Sequence, residues 1–173
     1  MTMQKTIQFT KHTDFFEKAK FVIGAHRKGI LEHPILLKHG VLVATDGHRM
    51  HLAKHIPHTK EETGYYRVVK SNKSEVILTE SDRKVFPPFA HVWPKHGDPI
   101  WNSVLVSDAL HPSKNYTQII RQMSEEVTLD YNYFEEILKY GFSFTASQYQ
   151  ENGPVLFEDI SNDCWALIMP IRI

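Results

Sequence analysis

The stretch Ala44-Thr45-Asp46-Gly47-His48-Arg49 is the clearest local signal in this chain. It follows the apolar run Val41-Leu42-Val43 and is itself followed by Met50. Asp-Gly between two apolar runs is typical of a tight hairpin turn, because glycine adopts a positive φ without steric cost. The pattern therefore predicts two strands joined at a turn that contains Gly47 and directs Arg49.

The residues before and after this turn also alternate between short strands and one helix. Thr6 to Thr10 reads as a strand, and Asp14 is a plausible N-cap for a helix from Phe15 to Gly24. The further strands predicted in this half are Ile35 to Leu37, Val41 to Ala44, His48 to His55, and a hairpin of Tyr65 to Val69 with Glu75 to Leu78. The first half is therefore a helix with a series of short strands.

The second half repeats this order. Val127 to Leu129 reads as a strand, and Asp130 or Asn132 caps a helix from Tyr133 to Tyr140 that Gly141 closes. The remaining predictions are an ordered proline-rich loop from Phe86 to Pro99, a strand from Trp101 to Val106, a short helix within Pro112 to Met123, and strands at Phe142 to Ala146, Pro154 to Glu158 and Trp165 to Met169. The repeated pattern suggests a duplicated strand-helix-sheet unit.

Composition limits the classes of function. The chain has 173 residues, 42% of them hydrophobic, so it can bury a core as one large or two small domains. Twenty basic residues balance twenty acidic ones, which gives no global attraction to phosphate and requires any DNA contact to be local or topological. A single cysteine, Cys164, excludes an intrachain disulfide, and the absence of a long apolar run predicts a cytoplasmic protein without membrane contact.

Two motifs resemble the bacterial DNA sliding clamp, the beta subunit of DNA polymerase III. The stretch from Ala44 to Met50 is similar to the signature of the clamp's second domain, and Ile168-Met169-Pro170-Ile171-Arg172-Ile173 resembles the clamp's C-terminal end. The resemblance implies an α+β, clamp-like fold with duplicated β-α-β-β-β units and helices on one face of antiparallel sheets. We predict one clamp-like domain over 1–173, with half-units at about 1–58 and 127–173 and an insertion at about 59–126. Two abbreviated domains that meet near 94–99 are the alternative.

The resemblance also implies a site for short apolar peptides of polymerases or clamp-loader subunits. The residues carried over are Thr45, Gly47, His48, Arg49 and Met50 on one side, and Leu167, Ile168, Met169, Pro170 and Ile171 on the other. Thioether and aliphatic side chains suit such a pocket, and a few fixed donors suit its rim.

Double-stranded DNA would be contacted, as in clamps, by basic residues on the helices. The candidates are Lys18, Lys20, Arg27, Lys28 and Lys139. The alternative is that these residues belong to an ordinary solvated helix face with no DNA contact. Because the resemblance implies a ring of three-domain chains, this shorter chain would need several copies to close one, and a homo-oligomer is expected. Otherwise it acts as an open adaptor, decoy or inhibitor.

Catalysis is a separate alternative. The run His48-x-x-His51-x-x-x-His55-x-x-His58 invites a metal-dependent enzyme, since His51 and His55 have the i,i+4 spacing that holds zinc on a helix. This segment reads as strand and loop instead, where His48 and His51 point to opposite faces. We therefore predict a binding protein with no catalytic residues, no metal and no cofactor.

Overall fold

A computed structural model describes residues 4–26, 32–94, 98–99, 101–107, 129–151 and 153–171. The chain divides into two compact units, Met1–Pro87 and Pro88–Ile173, called here the first and the second unit. The helix predicted within 112–123 and most of the strand predicted at 127–129 lie outside the described residues. Neither described helix reaches the length and apolar character that a membrane-spanning helix needs.

The first unit is an antiparallel sheet with one helix. Its elements are β1 (Thr6–Thr10), α1 (Phe16–Gly24), β2 (Ile35–Lys38), β3 (Val41–Thr45), β4 (Arg49–Ala53), β5 (Gly64–Ser71) and β6 (Glu75–Glu80). The strands lie in the order β1-β6-β5-β2-β3-β4, and each neighbouring pair is antiparallel. Every strand predicted in this range is present within two residues of its expected ends. Alternation of apolar and polar residues identifies each strand, and turn residues mark where it ends.

Helix α1 packs against β3 and β4 and supplies much of the core of this unit. Its buried residues are Phe16, Ala19, Phe21 and Val22. The prediction that Asp14 caps this helix is wrong, since the N-cap is Phe15 and no side chain caps it. The carbonyl of Thr13 accepts a hydrogen bond from the Phe16 backbone N–H instead, so a backbone turn takes the place of a side-chain cap.

The described residues of the second unit form one strand, one helix and three further strands. They are β7 (Trp101–Ser107), α2 (Tyr131–Leu138), β8 (Ser143–Gln148), β9 (Val155–Asp159), a 3-10 turn (Ile160–Asn162) and β10 (Cys164–Ile168). The strands lie antiparallel in the order β10-β9-β8-β7. The first unit begins with the same order, β-α-β-β-β, and continues with β5 and β6. The strand described before α2 is β7, whereas the sequence predicted a strand at Val127 to Leu129, which lies mostly outside the described residues. Strands β5, β6 and β7 fall within 59–126, the range expected to be an insertion, and each pairs with its own unit's sheet.

Helix α2 is present, but it begins at Tyr131 and ends at Leu138, two residues before the predicted bounds of Tyr133 and Tyr140. Of the two predicted caps, Asp130 is the one used, and its carboxylate accepts a hydrogen bond from the Asn132 backbone N–H. Gly141 follows the helix with a φ of 71°, the left-handed conformation that favours glycine. The rings of Phe134 and Phe157 lie 5.9 Å apart, so the helix packs its apolar face on the sheet of its own unit.

A buried carboxylate holds the turn between β9 and β10. Asp159 is 3% exposed, and its oxygens accept hydrogen bonds from the Ser143 and Asn162 backbone N–H groups and from the Ser161 and Asn162 side chains, at 2.6–3.1 Å. Burial alone would raise the pKa of this carboxyl, but the hydrogen bonds outweigh it and hold the pKa below its usual value. The charged form of Asp159 therefore stabilises the turn.

Candidate functional site

The corner between β3 and β4, Thr45–Met50, is fixed by the carboxylate of Asp46. One oxygen of Asp46 accepts hydrogen bonds from the backbone N–H groups of His48 (3.0 Å) and Arg49 (3.1 Å). The Thr45 hydroxyl donates to the Arg49 carbonyl (2.6 Å) and accepts from the Gly47 N–H (3.0 Å). Gly47 has a φ of 92°, which a residue with a Cβ rarely adopts. The predicted tight turn is therefore present and rigid.

The side chain of Arg49 ties this corner to helix α1. Its Nε donates to the second oxygen of Asp46 (3.1 Å), and its Nη2 donates to the carbonyl of Gly24 at the end of the helix (2.8 Å). The side chain of Asp46 is 4% exposed and that of Arg49 is 13% exposed, so the ion pair is largely shielded from water. A guanidinium is also favourable at the negative end of a helix dipole. Arg49 thus connects the β3–β4 corner to the C-terminal end of helix α1.

A second contact between β4 and α1 was not anticipated from the sequence. His51 is fully buried, its ring lies 4.5 Å from the ring of Phe21 in a stacked arrangement, and its Nδ1 is 2.7 Å from the Phe21 carbonyl. Because a carbonyl can only accept, Nδ1 carries the proton. The histidine spacing that suggested a metal site gives no hint of this role, which depends on a residue 30 positions away.

Only part of the corner is accessible. Gly47 and His48 are exposed, and no atom lies within 4 Å of a Cβ added at Gly47. Thr45 is 8% exposed and Met50 is 5% exposed, so both belong to the core. The corner therefore presents its turn to solvent while its flanking side chains hold it in place.

The C-terminal segment changes from core to surface within five residues. Leu167 and Ile168 end strand β10 and are buried. Met169 and Pro170 are half-buried, and Ile171 is 48% exposed. The strand ends here because proline lacks the N–H that a sheet ladder needs. The described part of this segment thus offers apolar atoms to a ligand from Met169 onward.

The predicted basic residues differ in their surroundings. Lys18 and Lys20 are half-buried on α1, and their ammonium groups lie 5.8 and 5.7 Å from the ring centroids of Phe15 and Phe16. Lys139 is exposed and forms an ion pair with Glu136 at 2.8 Å. Arg27 and Lys28 lie outside the described residues. The positive charge of Lys139 is therefore offset by the neighbouring Glu136 carboxylate.

The residues considered for metal or nucleophilic chemistry are not gathered into a site in the described ranges. No group of three or more His, Cys, Asp or Glu side chains there is placed to hold a metal ion. Cys164 is buried as a free thiol and donates to the carbonyl of Asn162 at 3.4 Å.

Comparison with solved structures identifies the fold. Over 98% of its length the chain matches 63% of the DNA polymerase III beta subunit of Borrelia burgdorferi, with a TM-score of 0.64 and 14% identity. The beta subunit of Thermotoga maritima matches with a TM-score of 0.58 and 18% identity over 97% of this chain and 65% of that one. The Helicobacter pylori beta clamp bound to a DNA ligase peptide matches with a TM-score of 0.59 and 14% identity over 99% and 67%.

The chain thus spans about 63% of the length of the first of these relatives. No protein-family model matches the sequence, and no curated protein matches it. The likeness is one of backbone arrangement at 12–18% identity, and it confirms the resemblance that the two motifs indicated. This chain has the α+β fold of the bacterial DNA polymerase III beta subunit, the sliding clamp.

Proposed function

We propose that this chain is a clamp-like recruitment and processivity factor in DNA replication, which binds short apolar peptides of polymerase or clamp-loader type and contacts double-stranded DNA. The observation that carries the proposal is the clamp fold over 98% of the chain, with both motifs on its sheet strands or at their ends. The Helicobacter pylori relative was solved with a DNA ligase peptide bound, which shows that this fold can present a peptide site.

The proposed peptide-binding residues divide by exposure into two roles. The accessible ones, proposed to contact a ligand, are Gly47 and His48 in the first unit and Met169, Pro170 and Ile171 in the second. The others are buried or half-buried and support the accessible residues of their own unit: Thr45, Arg49, Met50, Leu167 and Ile168. The thioether of Met169 can adjust to differently shaped apolar side chains, and the braced turn presents the His48 ring with little loss of entropy on binding.

A peptide titration tests this site. A fluorescent apolar peptide of the clamp-binding type should bind the wild-type chain, and Met169→Ala should weaken binding by about 2 kcal/mol, or roughly thirtyfold, because an anchor side chain is lost. Ile160→Ala is the matched control, since Ile160 is 74% exposed in the same unit but lies outside the proposed segment. Absence of binding to the wild type, or equal weakening in both variants, contradicts the proposal.

A second candidate function is a clamp-fold adaptor or inhibitor that does not encircle DNA. The formal charge of +0 and the Glu136–Lys139 ion pair favour it, because both reduce the attraction of the chain to phosphate. The mass of the protein in solution separates the two candidates. A closed homo-oligomer supports encirclement of DNA, whereas a monomer at all concentrations supports the adaptor.

A further inference from the structure

Three lysines from three elements of the first unit meet at the tip of the β5–β6 hairpin. Lys73 lies in the tip itself. The ammonium of Lys20 on α1 donates to the Asn72 carbonyl at 3.2 Å, and the backbone N–H of Lys11, just after β1, donates to the Ser74 carbonyl at 2.8 Å. Lys11, Lys20 and Lys73 are called the hairpin-tip lysines below.

The tip is rigid because the side chain of Asn72 closes it. Its oxygen accepts hydrogen bonds from the Ser74 backbone N–H (2.8 Å), the Ser74 hydroxyl (2.9 Å) and the Glu75 backbone N–H (2.9 Å). The Asn72 N–H donates to the Glu75 carbonyl at 3.0 Å. This turn therefore holds the backbone of Lys73 in one conformation and exposes its side chain to solvent.

The hairpin-tip lysines keep most of their hydrogen-bonding capacity. Lys11 and Lys73 are exposed, and within the described residues neither side chain forms an ion pair or hydrogen bond. Lys20 uses one of its three N–H donors on the Asn72 carbonyl. All three can therefore donate to a ligand.

The nearest acid on the hairpin is already neutralised. One oxygen of Glu75 lies 2.6 Å from the Lys70 ammonium, and the other accepts a hydrogen bond from the Gln8 amide at 2.7 Å. Asp14 and Glu17, just before α1 and in its first turn, are exposed and reduce the local positive charge, but the three hairpin-tip lysines outnumber these two acids. The tip is thus a local cationic surface on a chain of zero net charge.

We propose that the hairpin-tip lysines bind the phosphate backbone of double-stranded DNA. This inference rests on the DNA-contacting part of the proposed function and extends that contact from α1 to the hairpin and the end of β1. Flexible ammonium groups from three elements suit repeated phosphates without reading base sequence. Residues 70–75 contain no aromatic side chain on which unpaired bases could stack, and this favours duplex over single-stranded DNA.

Fluorescence anisotropy of a labelled duplex at low salt tests the inference on the full chain. The variant K11Q/K73Q removes two exposed charges that form no ion pair or hydrogen bond within the described residues, and K38Q/K60Q removes two exposed charges elsewhere in the same unit. K11Q/K73Q should weaken duplex binding by about tenfold and lower the slope of log affinity against log salt by about two, since each phosphate contact contributes about 0.9. K38Q/K60Q should stay close to the wild type.

Equal weakening in the two double variants would overturn the inference, because the effect would then come from overall charge. Unchanged binding in K11Q/K73Q, tighter binding of the matching single strand than of the duplex, or no duplex binding by the wild type would also overturn it. The peptide titration is independent of these results. K11Q/K73Q should bind the peptide as the wild type does, so failure of the DNA contact is distinguishable from failure of the peptide site.

Discussion

Replacing Asp46 with alanine removes the group that organises the β3–β4 corner. The change deletes the acceptor for two backbone N–H groups and for the Nε of Arg49, with distances of 3.0–3.1 Å. Arg49 keeps its hydrogen bond to the Gly24 carbonyl but loses the Asp46 carboxylate as a partner. Since the Asp46 and Arg49 side chains are only 4% and 13% exposed, water replaces the carboxylate poorly. Losing one partner of such a pair costs about 3–5 kcal/mol of unfolding free energy.

Two matched substitutions separate the parts of this effect. Asp46→Asn keeps an oxygen acceptor for the backbone N–H groups and removes only the charge, so we expect a smaller loss of about 1–3 kcal/mol. Asp82→Ala removes an exposed carboxylate of the same unit that makes no hydrogen bond or ion pair within the described residues, so its free energy of unfolding should change by less than about 0.5 kcal/mol.

The assay must report on the first unit. All three tryptophans, Trp93, Trp101 and Trp165, belong to the second unit, so tryptophan fluorescence would follow the wrong part of the chain. Urea unfolding should be followed by far-UV circular dichroism together with hydrogen exchange of peptides that cover 41–53, without assuming one two-state transition. Unfolding of Asp46→Ala and Asp82→Ala at the same urea concentration would refute the reasoning.

Two further predictions follow from pKa shifts. The folded-state pKa of Asp159 is lowered, so its stabilisation is complete above the ordinary aspartate pKa and is lost as pH falls through the folded value. The difference in unfolding free energy between wild type and Asp159→Asn, read from tryptophan fluorescence, should therefore shrink on acidification, and a difference independent of pH would contradict this. Burial, and then the charges of Glu62 and Glu80, raise the pKa of Tyr66 to about 12. The stability it contributes is complete below the ordinary tyrosine pKa of 10.0 and is lost as pH rises towards about 12. Tyr66→Phe should remove one ionisation at about pH 12 from an alkaline absorbance titration, and an unchanged titration curve would refute the assignment.

The strands and both described helices could be predicted because their signals are local. Alternation of apolar residues, the Asp46–Gly47 turn and the Asp130 cap each act within a few residues, and each is present in the structure. The Asp14 cap was wrong because a backbone carbonyl competes successfully for the same helix terminus. A side-chain cap predicted from sequence is therefore absent where a backbone group already forms the hydrogen bond at the helix terminus.

The parts of the site that the sequence could not predict depend on distant contacts. Arg49 was expected to serve a ligand, and its binding to the Gly24 carbonyl joins residues 25 positions apart. The contact of Lys20 with the Asn72 carbonyl spans 52 positions and brings a helix to a hairpin tip. The histidine spacing suggested zinc, whereas His51 packs on Phe21. Such pairings arise from tertiary packing, which periodicity in one sequence does not encode.

Hydrogen exchange with and without a bound apolar peptide tests the peptide site most directly, because it locates the contact without any substitution. When the ligand peptide is saturating, we expect slower exchange in the proteolytic fragments of this chain that cover Gly47–Met50 and Leu167–Ile171. Fragments from the β5–β6 hairpin should change little. Protection confined to other parts of the chain, or no protection at saturation, would contradict the account.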